Sequence, residues 1–312
     1  MLSTMHRAHR LSLLGLLIVW TATPLAETDT ITLALAEPVP GLFVHEGQSV
    51  DTDSPTRGDM ANIGFIVGQR CVAVIDTGGS VAVGAALRAQ ISQHTALPVC
   101  FVINTHGHFD HALGNAAFVG DRPEFIGHAE LATMLGGSEA FFREHFANEL
   151  RDAPEPAIVL PTRTVDGTLE LDLGDRVLRL RAQPVAHSMA DLTVEDVTSA
   201  TLWTGDLLFN GRLPVLDGSL RGWQAWMRTS ASAQHPLVIP GHGPLIHDWP
   251  APLRPQQVYL DELERTVRTS IAEGLFLEDA LAAASSTAPA GWQIVRPHAR
   301  NLGRAWRELE WE

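Results

Sequence analysis

The segment NTHGHFDH, residues 104–111, places three histidines and an aspartate directly after the apolar run VCFVI. Imidazole nitrogens and carboxylate oxygens are ligands that zinc accepts in proteins. Alternate residues of an extended segment point to the same side, so His106 and His108 can bind one ion together. Asp110 and His111 come where the chain turns into the next predicted helix, and they can face a second ion. A solvated, histidine-rich turn is the alternative interpretation.

Three later segments carry a candidate ligand at the predicted end of an apolar strand: His187 in VAHSMAD, Asp206 in LWTGDLLF and His242 in IPGHGP. Sites built on sheets usually take their residues from such strand ends. Gly205, next to Asp206, allows the backbone to approach closely. Taken singly, His242 fits a turn and Asp206 fits a helix cap. Taken with residues 104–111, the three segments predict a metal site with two ions.

The strands and helices that must position these residues follow from the hydrophobic patterns. GLFVHEG and NIGFIVGQRCVAVIDTGG predict strands, and Ser80 is placed to cap a helix after them. LELDL and VLRLRAQ alternate apolar and charged residues, which predicts antiparallel strands with one solvated face. HAELATMLGG and SEAFFREHFANEL predict two helices. Trp223, Trp226 and Met227 form the core-facing side of another predicted helix, and from Pro250 onward the chain is predicted to be helical.

The composition excludes several classes of partner. The 312 residues are 45% hydrophobic and 19% charged, which is typical of a globular protein with a sizeable core. The net charge of -14 argues against sequence-independent nucleic-acid binding and against docking on an anionic membrane, since both need basic surfaces. No period of about 20 to 50 residues repeats, which argues against a solenoid or a propeller.

Residues 1–26 have the order of regions found in a secretory signal peptide. MLSTMHRAHR carries two Arg and no acidic residue, LSLLGLLIVW is an apolar stretch too short to span a bilayer, and TATPLA ends in a small residue. Cleavage after Ala26 and cleavage at the small-x-small site that ends at Ala36 both stay open, as does an uncleaved N-terminal anchor. With processing, we expect a periplasmic protein without stable membrane insertion.

The two cysteines, Cys71 and Cys100, lie in the apolar runs RCVAVID and PVCFVIN, which predict buried strands. An oxidising compartment permits a disulfide between them. Two buried thiols on neighbouring strands are the simpler expectation, because free cysteine is among the most buried residue types.

The order of these residues resembles the metallo-β-lactamase superfamily. Asp76 in VIDTGG, the H-x-H-x-D-H segment and the three later ligands span residues 76–242. The resemblance implies an α+β fold, a four-layer αββα sandwich over residues 37–250 with a C-terminal helical extension over residues 251–312. It also implies two zinc ions at the edges of the sheets, and iron fits the same ligand types.

The same resemblance implies one ligand set for each ion. The first zinc takes three histidines, His106, His108 and His187. The second takes Asp110, His111 and His242. Asp206 would bridge both ions, and Asp76 would orient ligands by hydrogen bonding. Members that hydrolyse lactams generally place Cys or Ser at the position of Asp206, whereas a bridging Asp is shared with hydroxyacylglutathione hydrolases and lactonases, so β-lactam hydrolysis is not the first expectation.

Four stretches resemble a narrower group, the SoxH-related quinoprotein relay system zinc metallohydrolases. They are RGDMANIGFIVGQRCVAVIDTGGS, INTHGHFDHALGNAAF, GDLLFNGRLPVLDGSLRGW and RELEWE. This resemblance covers most of the chain after residue 26, including the C-terminal helices. It implies an exported protein linked to PQQ-dependent alcohol dehydrogenases and c-type cytochromes, and it names no substrate.

The expected reaction is hydrolysis of a small-molecule ester, thioester, lactone or amide by a hydroxide that bridges two zinc ions. Asp110 is the candidate catalytic residue, since its second oxygen could orient the hydroxide and relay a proton. Asn62, Asn210 and Arg212 lie near predicted strand ends and are candidate substrate contacts. Arg212 fits an anionic group and equally fits a surface ion pair.

Two other functions stay open. Persulfide dioxygenases of the same superfamily keep the H-x-H-x-D-H segment but use one iron with two His and one Asp. The second alternative is a non-enzymatic role as a metal-binding or assembly partner of a quinoprotein, and the intact ligand set argues against it.

Overall fold

Seven strands from the first part of the chain form one mixed sheet in the computed structural model, which describes residues 31–285 and 289–312. They are β1 Ala36–Val39, β2 Leu42–His45, β3 Ile63–Val67, β4 Val72–Ile75, β5 Val99–Ile103, β6 Glu124–His128 and β7 Arg163–Val165. Their order in the sheet follows their order in the chain. The first four are antiparallel to one another, and β4 to β7 are parallel. The predicted signal peptide, residues 1–26, lies outside the described residues.

A second sheet contains five strands from the middle of the chain. They are β8 Thr168–Asp172, β9 Val177–Ala182, β10 Leu192–Asp196, β11 Thr201–Phe209 and β12 Val238–His242. The order is β12-β11-β10-β9-β8, and only β11 and β12 run parallel. β8 and β9 pair antiparallel, as their alternating sequences predict. Leu171, Leu178 and Leu180 point into the core, whereas Glu170 and Arg179 pair on the outer face.

Seven helices of the described residues accompany the sheets. They are α1 Val81–His94, α2 Phe109–Ala112, α3 Leu131–His145, α4 Leu220–Ser230, α5 Leu253–Ala272, α6 Leu277–Ser285 and α7 Pro297–Leu309, with 3-10 turns at Arg57–Asp59 and Leu113–Asp121. Ser80 caps α1, because its side chain accepts a hydrogen bond from the backbone of Val83 at 3.1 Å. None of the helices in the described ranges is long and apolar enough to cross a membrane.

One continuous helix, α3, replaces the two helices that the sequence predicts between residues 128 and 150. The glycine pair that separates the two patterns does not end the helix. Gly136 and Gly137 lie on its exposed side, where a Cβ atom would meet nothing within 4 Å. Glycine at such a site lowers helix stability by about 1 kcal/mol, and the buried side chains of Leu131, Leu135 and Phe142 outweigh that cost.

Three apolar layers hold the four-layer sandwich together and confirm the predicted αββα fold. The central layer lies between the two sheets and includes Ile75, Leu178 and Trp203. A second layer lies between the first sheet and α1. A third lies between the second sheet and the helices α4, α5 and α7, and it contains the predicted inner side of α4. Full burial of one large apolar side chain contributes about 1.5–3 kcal/mol, so these layers dominate the stability.

Cys71 and Cys100 form a disulfide, so the expectation of two free thiols is wrong. Cys71 immediately precedes β4, and Cys100 lies in the neighbouring parallel strand β5. Their Cα atoms are 5.8 Å apart, a distance that a disulfide spans. The sequence places both cysteines on buried strands but does not show which residues of two strands lie side by side, and that register decides the pairing.

Replacing both cysteines with alanine should lower the free energy of unfolding by about 3 to 4 kcal/mol. The reason is that the bond joins residues 29 positions apart and restricts the unfolded chain. Urea denaturation followed by circular dichroism measures the change, with the wild-type protein under reducing agent as the control that should lose the same amount. Two titratable thiols in the unreduced, unfolded wild-type chain would contradict the pairing.

Candidate metal centre

The seven predicted ligands meet at one edge of the two sheets. His106 and His108 lie in the loop that follows β5, and the short helix α2 carries the next two ligands of the segment. His187 lies in the loop between β9 and β10. Asp206 belongs to β11 and His242 ends β12, and these two strands are parallel neighbours. The structure therefore brings residues from both halves of the chain into two groups, one of His106, His108, His187 and Asp206 and one of Asp110, His111 and His242.

The first group is a set of three imidazoles whose nitrogens converge. His108 Nδ1 lies 3.0 Å from His106 Nε2 and 3.0 Å from His187 Nε2. His106 and His187 are buried, and His108 is partly exposed toward a cavity. Three nitrogens that face a common point are arranged as ligands of one ion.

The second group combines a carboxylate with two imidazoles. Asp110 Oδ2 lies 3.2 Å from His242 Nε2 and 3.7 Å from His111 Nε2. All three residues are buried. This set of one oxygen and two nitrogens also suits a divalent metal ion.

Asp206 lies between the two groups and directs one carboxylate oxygen to each. Its Oδ2 is 3.7 Å from His106 Nε2 and 3.5 Å from His187 Nε2. Its Oδ1 is 3.1 Å from His111 Nε2 and 3.3 Å from His242 Nε2. A carboxylate in this position can bind two ions at once, one through each oxygen.

Two glycines leave room for this carboxylate. Gly205 has a φ of 52°, and a Cβ atom there would lie 2.5 Å from Thr105 Oγ1, which confirms the close approach expected at this residue. At Gly241 a Cβ atom would collide with Asp206 Oδ1. A larger residue at position 205 would push β11 away from Thr105, and one at position 241 would push β12 away from Asp206 in β11.

Two polar atoms at the centre of the site show that the residues fit metal ions. His111 Nε2 and Asp206 Oδ1 are buried and lie 3.1 Å apart, but neither makes a hydrogen bond of good geometry with the described residues. Leaving such an atom unsatisfied costs about 1–3 kcal/mol, and a bound cation would satisfy both. Tetrahedral zinc holds adjacent ligand nitrogens about 3.3 Å apart, given bonds of about 2.0–2.1 Å. The separations of 3.0 to 3.7 Å within the two groups bracket that value.

The second nitrogen of each imidazole is held by a different part of the chain. The partners are Asp76 Oδ2 for His111 at 2.8 Å, the carbonyl of Met60 for His242 at 2.8 Å, the carbonyl of Val215 for His187 at 2.7 Å, Asp217 Oδ2 for His108 at 2.7 Å and Thr105 Oγ1 for His106 at 3.1 Å. Such contacts fix the orientation and tautomer of a metal-binding histidine. Each ring therefore presents its free nitrogen to the site.

Asp76 links the two groups from outside. Its carboxylate accepts hydrogen bonds from the backbone and the hydroxyl of Thr105 at 2.8 and 2.7 Å and from His111 Nδ1 at 2.8 Å. The hydroxyl of Thr105 in turn lies beside His106 Nδ1. Asp76 has a φ of 53°, a conformation that costs energy for a residue with a side chain. Asp76 therefore binds the nitrogen of His111 that faces away from the site, and this contact orients the ring.

The protonation of the metal-free site follows from its burial and its carboxylates. Burial and the charge of neighbouring His111 lower the pKa of His106 well below its ordinary value, and burial lowers the pKa of His187 to about 4. Burial alone would lower the pKa of His111 too, but the charges of Asp206 and Asp76 raise that pKa well above its ordinary value. A proton on His111 thus neutralises part of the site, and a metal ion that binds there must displace it.

A cavity of about 490 Å³ opens onto both groups. One wall is apolar and comes from α3 and the residues after it, with Met134, Phe141, Phe142 and Phe146. Three arginines also line the cavity, Arg57, Arg212 and Arg300, and Arg57 lies over the ring of Phe146. Arg57 pairs with Glu149 and Arg300 pairs with Asp217. The cavity therefore joins the ligand groups to an apolar surface and to a positive one.

Arg212 is buried to 5% exposure and forms no ion pair with any described residue, so the alternative of a surface ion pair is wrong. Its Nη1 donates to the carbonyl of Val50 at 3.0 Å, and its Nε has no acceptor in the described part of the chain. Burial and the charge of Arg212 act to lower the pKa of His242, but Asp206 and Asp110 outweigh them and raise that pKa above its ordinary value. Arg212 is thus a cation beside the site whose charge is left without a carboxylate.

Asn62 and Asn210 have backbone partners instead of open positions. The Asn62 side chain donates to the carbonyls of Pro240 and Gly243 at 2.9 and 2.8 Å and accepts from the backbone of Gly47 at 3.0 Å. Asn210 donates to the carbonyl of Pro244 at 2.9 Å. These hydrogen bonds fix the chain around His242, the ligand at the end of β12. The buried Asn62 amide uses both of its N–H groups in them, so it has no donor left for a substrate.

Two residues that support the site, Asp217 and Gln256, are not recognisable as such in the sequence. Asp217 holds His108, yet in LPVLDGSL it has the pattern of any aspartate before a helix cap. Gln256 of α5 is fully buried, and its amide binds the backbone of Phe209 and Leu207 at 2.9 Å each, next to Asp206 in β11. A glutamine on the inner side of an otherwise amphipathic helix is the one sign of this contact in the sequence.

Comparison with known proteins agrees with the geometry. The family model of the metallo-beta-lactamase superfamily matches residues 56–242, and a comparison with curated proteins gives no match. The solved metallo-beta-lactamase from Pontibacter korlensis is 16% identical over 74% of this chain and 99% of its own, with a TM-score of 0.61. TMB-1 is 18% identical over 74% of this chain and 98% of its own, with a TM-score of 0.59.

A third solved structure extends further along the chain. The stereoselective inverting sec-alkylsulfatase Pisa1 from Pseudomonas sp. is 16% identical and has a TM-score of 0.63. The match covers 90% of this chain but only 51% of the sulfatase. At these identities the three likenesses show a shared fold and leave the substrate to the residues of the site.

Replacing Asp206 with alanine should reduce bound metal from two ions per chain to fewer than one, because both groups lose an oxygen ligand. Replacing His108 should affect the first group more strongly than the second. Elemental analysis of purified, zinc-loaded protein measures the content, and circular dichroism checks the fold. The exposed Asp248, replaced by alanine, is the matched control. Retention of two ions by the Asp206 variant would contradict the site.

Proposed function

The chain belongs to the metallo-beta-lactamase superfamily, and we propose that it is an exported dinuclear zinc hydrolase that cleaves an ester, thioester, lactone or amide. The observation that carries the proposal is the position of Asp206, which offers one carboxylate oxygen to each of two buried ligand groups. A carboxylate shared in this way can bind two ions at once, one through each oxygen.

Each ion would have its own ligands. The first is assigned to His106, His108 and His187. The second is assigned to Asp110, His111 and His242. Asp206 would bind both, and Asp76 would orient His111 from behind. When bound, the two zinc ions supply a water molecule acidified toward neutral pH and a Lewis acid for the substrate carbonyl.

Asp110 is the proposed catalytic residue for proton handling. It lies on the wall of the cavity, and only one of its oxygens faces the imidazoles of the second group. Burial alone would raise the pKa of Asp110, but the adjacent His111 and His242 outweigh it and hold the pKa well below its ordinary value. The carboxylate is therefore ionised at neutral pH and can accept a hydrogen bond from the attacking water.

The cavity supports a substrate with an anionic group and an apolar part. Arg212 is a buried cation with an unused N–H, and a carboxylate or similar anion would supply both the charge and the acceptor it lacks. The apolar wall from α3 suits an alkyl or aromatic portion of the same molecule. A carbonyl held between these two surfaces would face the metal groups.

The other functions are less well supported by these contacts. A mononuclear iron enzyme would bind its metal with two histidines and one aspartate, whereas the described residues add His242 to the H-x-H-x-D-H segment that such enzymes also keep, and so complete a second group. A non-enzymatic role needs no cavity that reaches the ligands. Iron in place of zinc stays compatible with the ligand types, so metal analysis belongs to the first characterisation.

The compartment and the pathway are inferred from the sequence together with one bond. The disulfide between Cys71 and Cys100 supports an oxidising compartment, as expected for a periplasmic protein with a cleaved signal peptide. The link to a PQQ-dependent dehydrogenase and a c-type cytochrome rests on the resemblance to SoxH-related proteins. We therefore infer that the substrate is an acid derivative formed in the compartment in which the dehydrogenase oxidises alcohols.

The hydrolase proposal predicts turnover in a panel of carboxylate-bearing esters, thioesters, lactones and amides by the zinc-loaded protein. Sulfate esters belong in the panel, because a sec-alkylsulfatase shares the fold. The Asp206→Ala variant is the background control. If wild type hydrolyses no member faster than this variant, the hydrolase proposal is wrong.

Arg212→Ala should lower kcat/KM for a carboxylate-bearing substrate about 10- to 100-fold, since a hydrogen bond to a charged group contributes about 1.5–3 kcal/mol. Hydrolysis of a neutral substrate with the same apolar part should stay within about twofold. Steady-state kinetics with the matched pair of substrates measures both. An equal loss for the two substrates would mean that Arg212 acts on the site and does not bind the anion.

A further inference from the structure

One loop behind the first ligand group touches two of its histidines. Residues 210–219, between β11 and α4, are named here the Asp217 loop. The carbonyl of Val215 accepts a hydrogen bond from His187 Nδ1 at 2.7 Å, and Asp217 Oδ2 accepts one from His108 Nε2 at 2.7 Å. The backbone of Asp217 also donates to the carbonyl of His187 at 2.9 Å. The position of this loop therefore sets the orientation of both rings.

The C-terminal helix α7 holds the Asp217 loop along its length. Asn301 is fully buried, and its amide accepts from the backbone of Leu216 at 2.8 Å and donates to the carbonyl of Pro214 at 2.7 Å. The carboxylate of Glu308 accepts from Ser219 Oγ and from the backbone of Leu220 at 2.8 and 2.7 Å, where α4 begins. Helix α7 thus binds the loop at Pro214 and Leu216 and again at Ser219, the last residue before α4.

Two arginines of α7 bind Asp217 itself. Arg300 Nη2 donates to Asp217 Oδ1, the oxygen that does not face His108. Arg304 Nη2 donates to the backbone carbonyl of Asp217. The carboxylate is 22% exposed, so an unsupported Asp217 could turn to water instead of to the histidine. Because both of its oxygens accept hydrogen bonds, the Asp217 carboxylate has one orientation, in which Oδ2 faces His108 Nε2.

We propose that Asp217 is a positioning residue for His108 and that α7, through Arg300, holds Asp217 in that position, so that the C-terminal helix is part of the metal centre. The inference rests on the proposed metal site. It adds a role for a helix that lies beyond the residues 56–242 matched by the family model. The helix then acts on metal affinity through the first group and leaves the second group unaffected.

Three variants separate this role from a general effect on stability. Asp217→Ala removes both contacts of the carboxylate. Asp217→Asn keeps an acceptor for His108 but loses the charge that pairs with Arg300. Arg300→Ala leaves Asp217 in place and removes only the bond between its carboxylate and α7, whereas Arg304 still donates to the backbone carbonyl of Asp217. The matched control is Arg307→Ala, which removes an exposed arginine from the same helix that makes no side-chain hydrogen bond or ion pair with the described residues.

Zinc affinity is measured by competition with a chromophoric chelator, and the tautomer of His108 is read from the imidazole nitrogen signals in NMR. Asp217→Ala should weaken one of two zinc ions about 10- to 100-fold, as expected for loss of a residue that orients a ligand. Asp217→Asn should restore most of that affinity and the Nε2–H tautomer. Arg300→Ala should weaken the same ion about threefold to fivefold, because an ion pair with an arginine that is 58% exposed is weak.

Wild-type affinity for both ions in Asp217→Ala and Arg300→Ala would overturn the proposal. So would an equal loss in Arg300→Ala and Arg307→Ala, because that result would assign the effect to the helix as a whole. If Asp217→Ala does not fold, the Asn variant and Arg300→Ala decide the matter. A wild-type chain that binds only one zinc ion would contradict the dinuclear function, and the Asp217 comparison would still test the positioning of that ion.

Discussion

The structure depends on one electrostatic constraint, the burial of a carboxylate between two groups of imidazoles. Asp206 can stay ionised away from water only if positive charge lies within a few ångströms of both its oxygens. In the metal-free protein a proton on His111 supplies part of that charge. Two divalent ions would supply all of it. The burial of the Asp206 carboxylate, which costs free energy without them, becomes favourable when they bind.

The ligands keep this arrangement because each is oriented from outside the site. The outer nitrogen of every ligand imidazole has a partner, which is the neighbouring Thr105 for His106 and a residue of a distant segment for the other four rings. The two sheets position the strand ends. Helix α5 binds the C-terminal end of β11, and helix α7 binds the loop that follows it. The metal centre is therefore a product of all four layers and of the C-terminal helices together.

The ligand residues and the layers could be predicted from the sequence, because strand periodicity, apolar runs and the H-x-H-x-D-H spacing are local properties. The disulfide could not, since it depends on the register of β4 and β5. The tasks of Asn62 and Asp217 could not be predicted either, because both depend on which loop passes beside which strand end. The single helix α3 differs from the predicted pair because buried apolar contacts outweigh the propensity of two exposed glycines.

Anomalous diffraction from crystals of the metal-loaded protein tests the shared position of Asp206 most directly. Two peaks are expected at the zinc absorption edge, about 3.5 to 4 Å apart, as in other two-metal sites. Asp206 Oδ2 should be a ligand of the ion at His106, His108 and His187, and Oδ1 a ligand of the other. A single peak at the first group with the second group empty, at either the zinc or the iron edge, would contradict the shared position of Asp206.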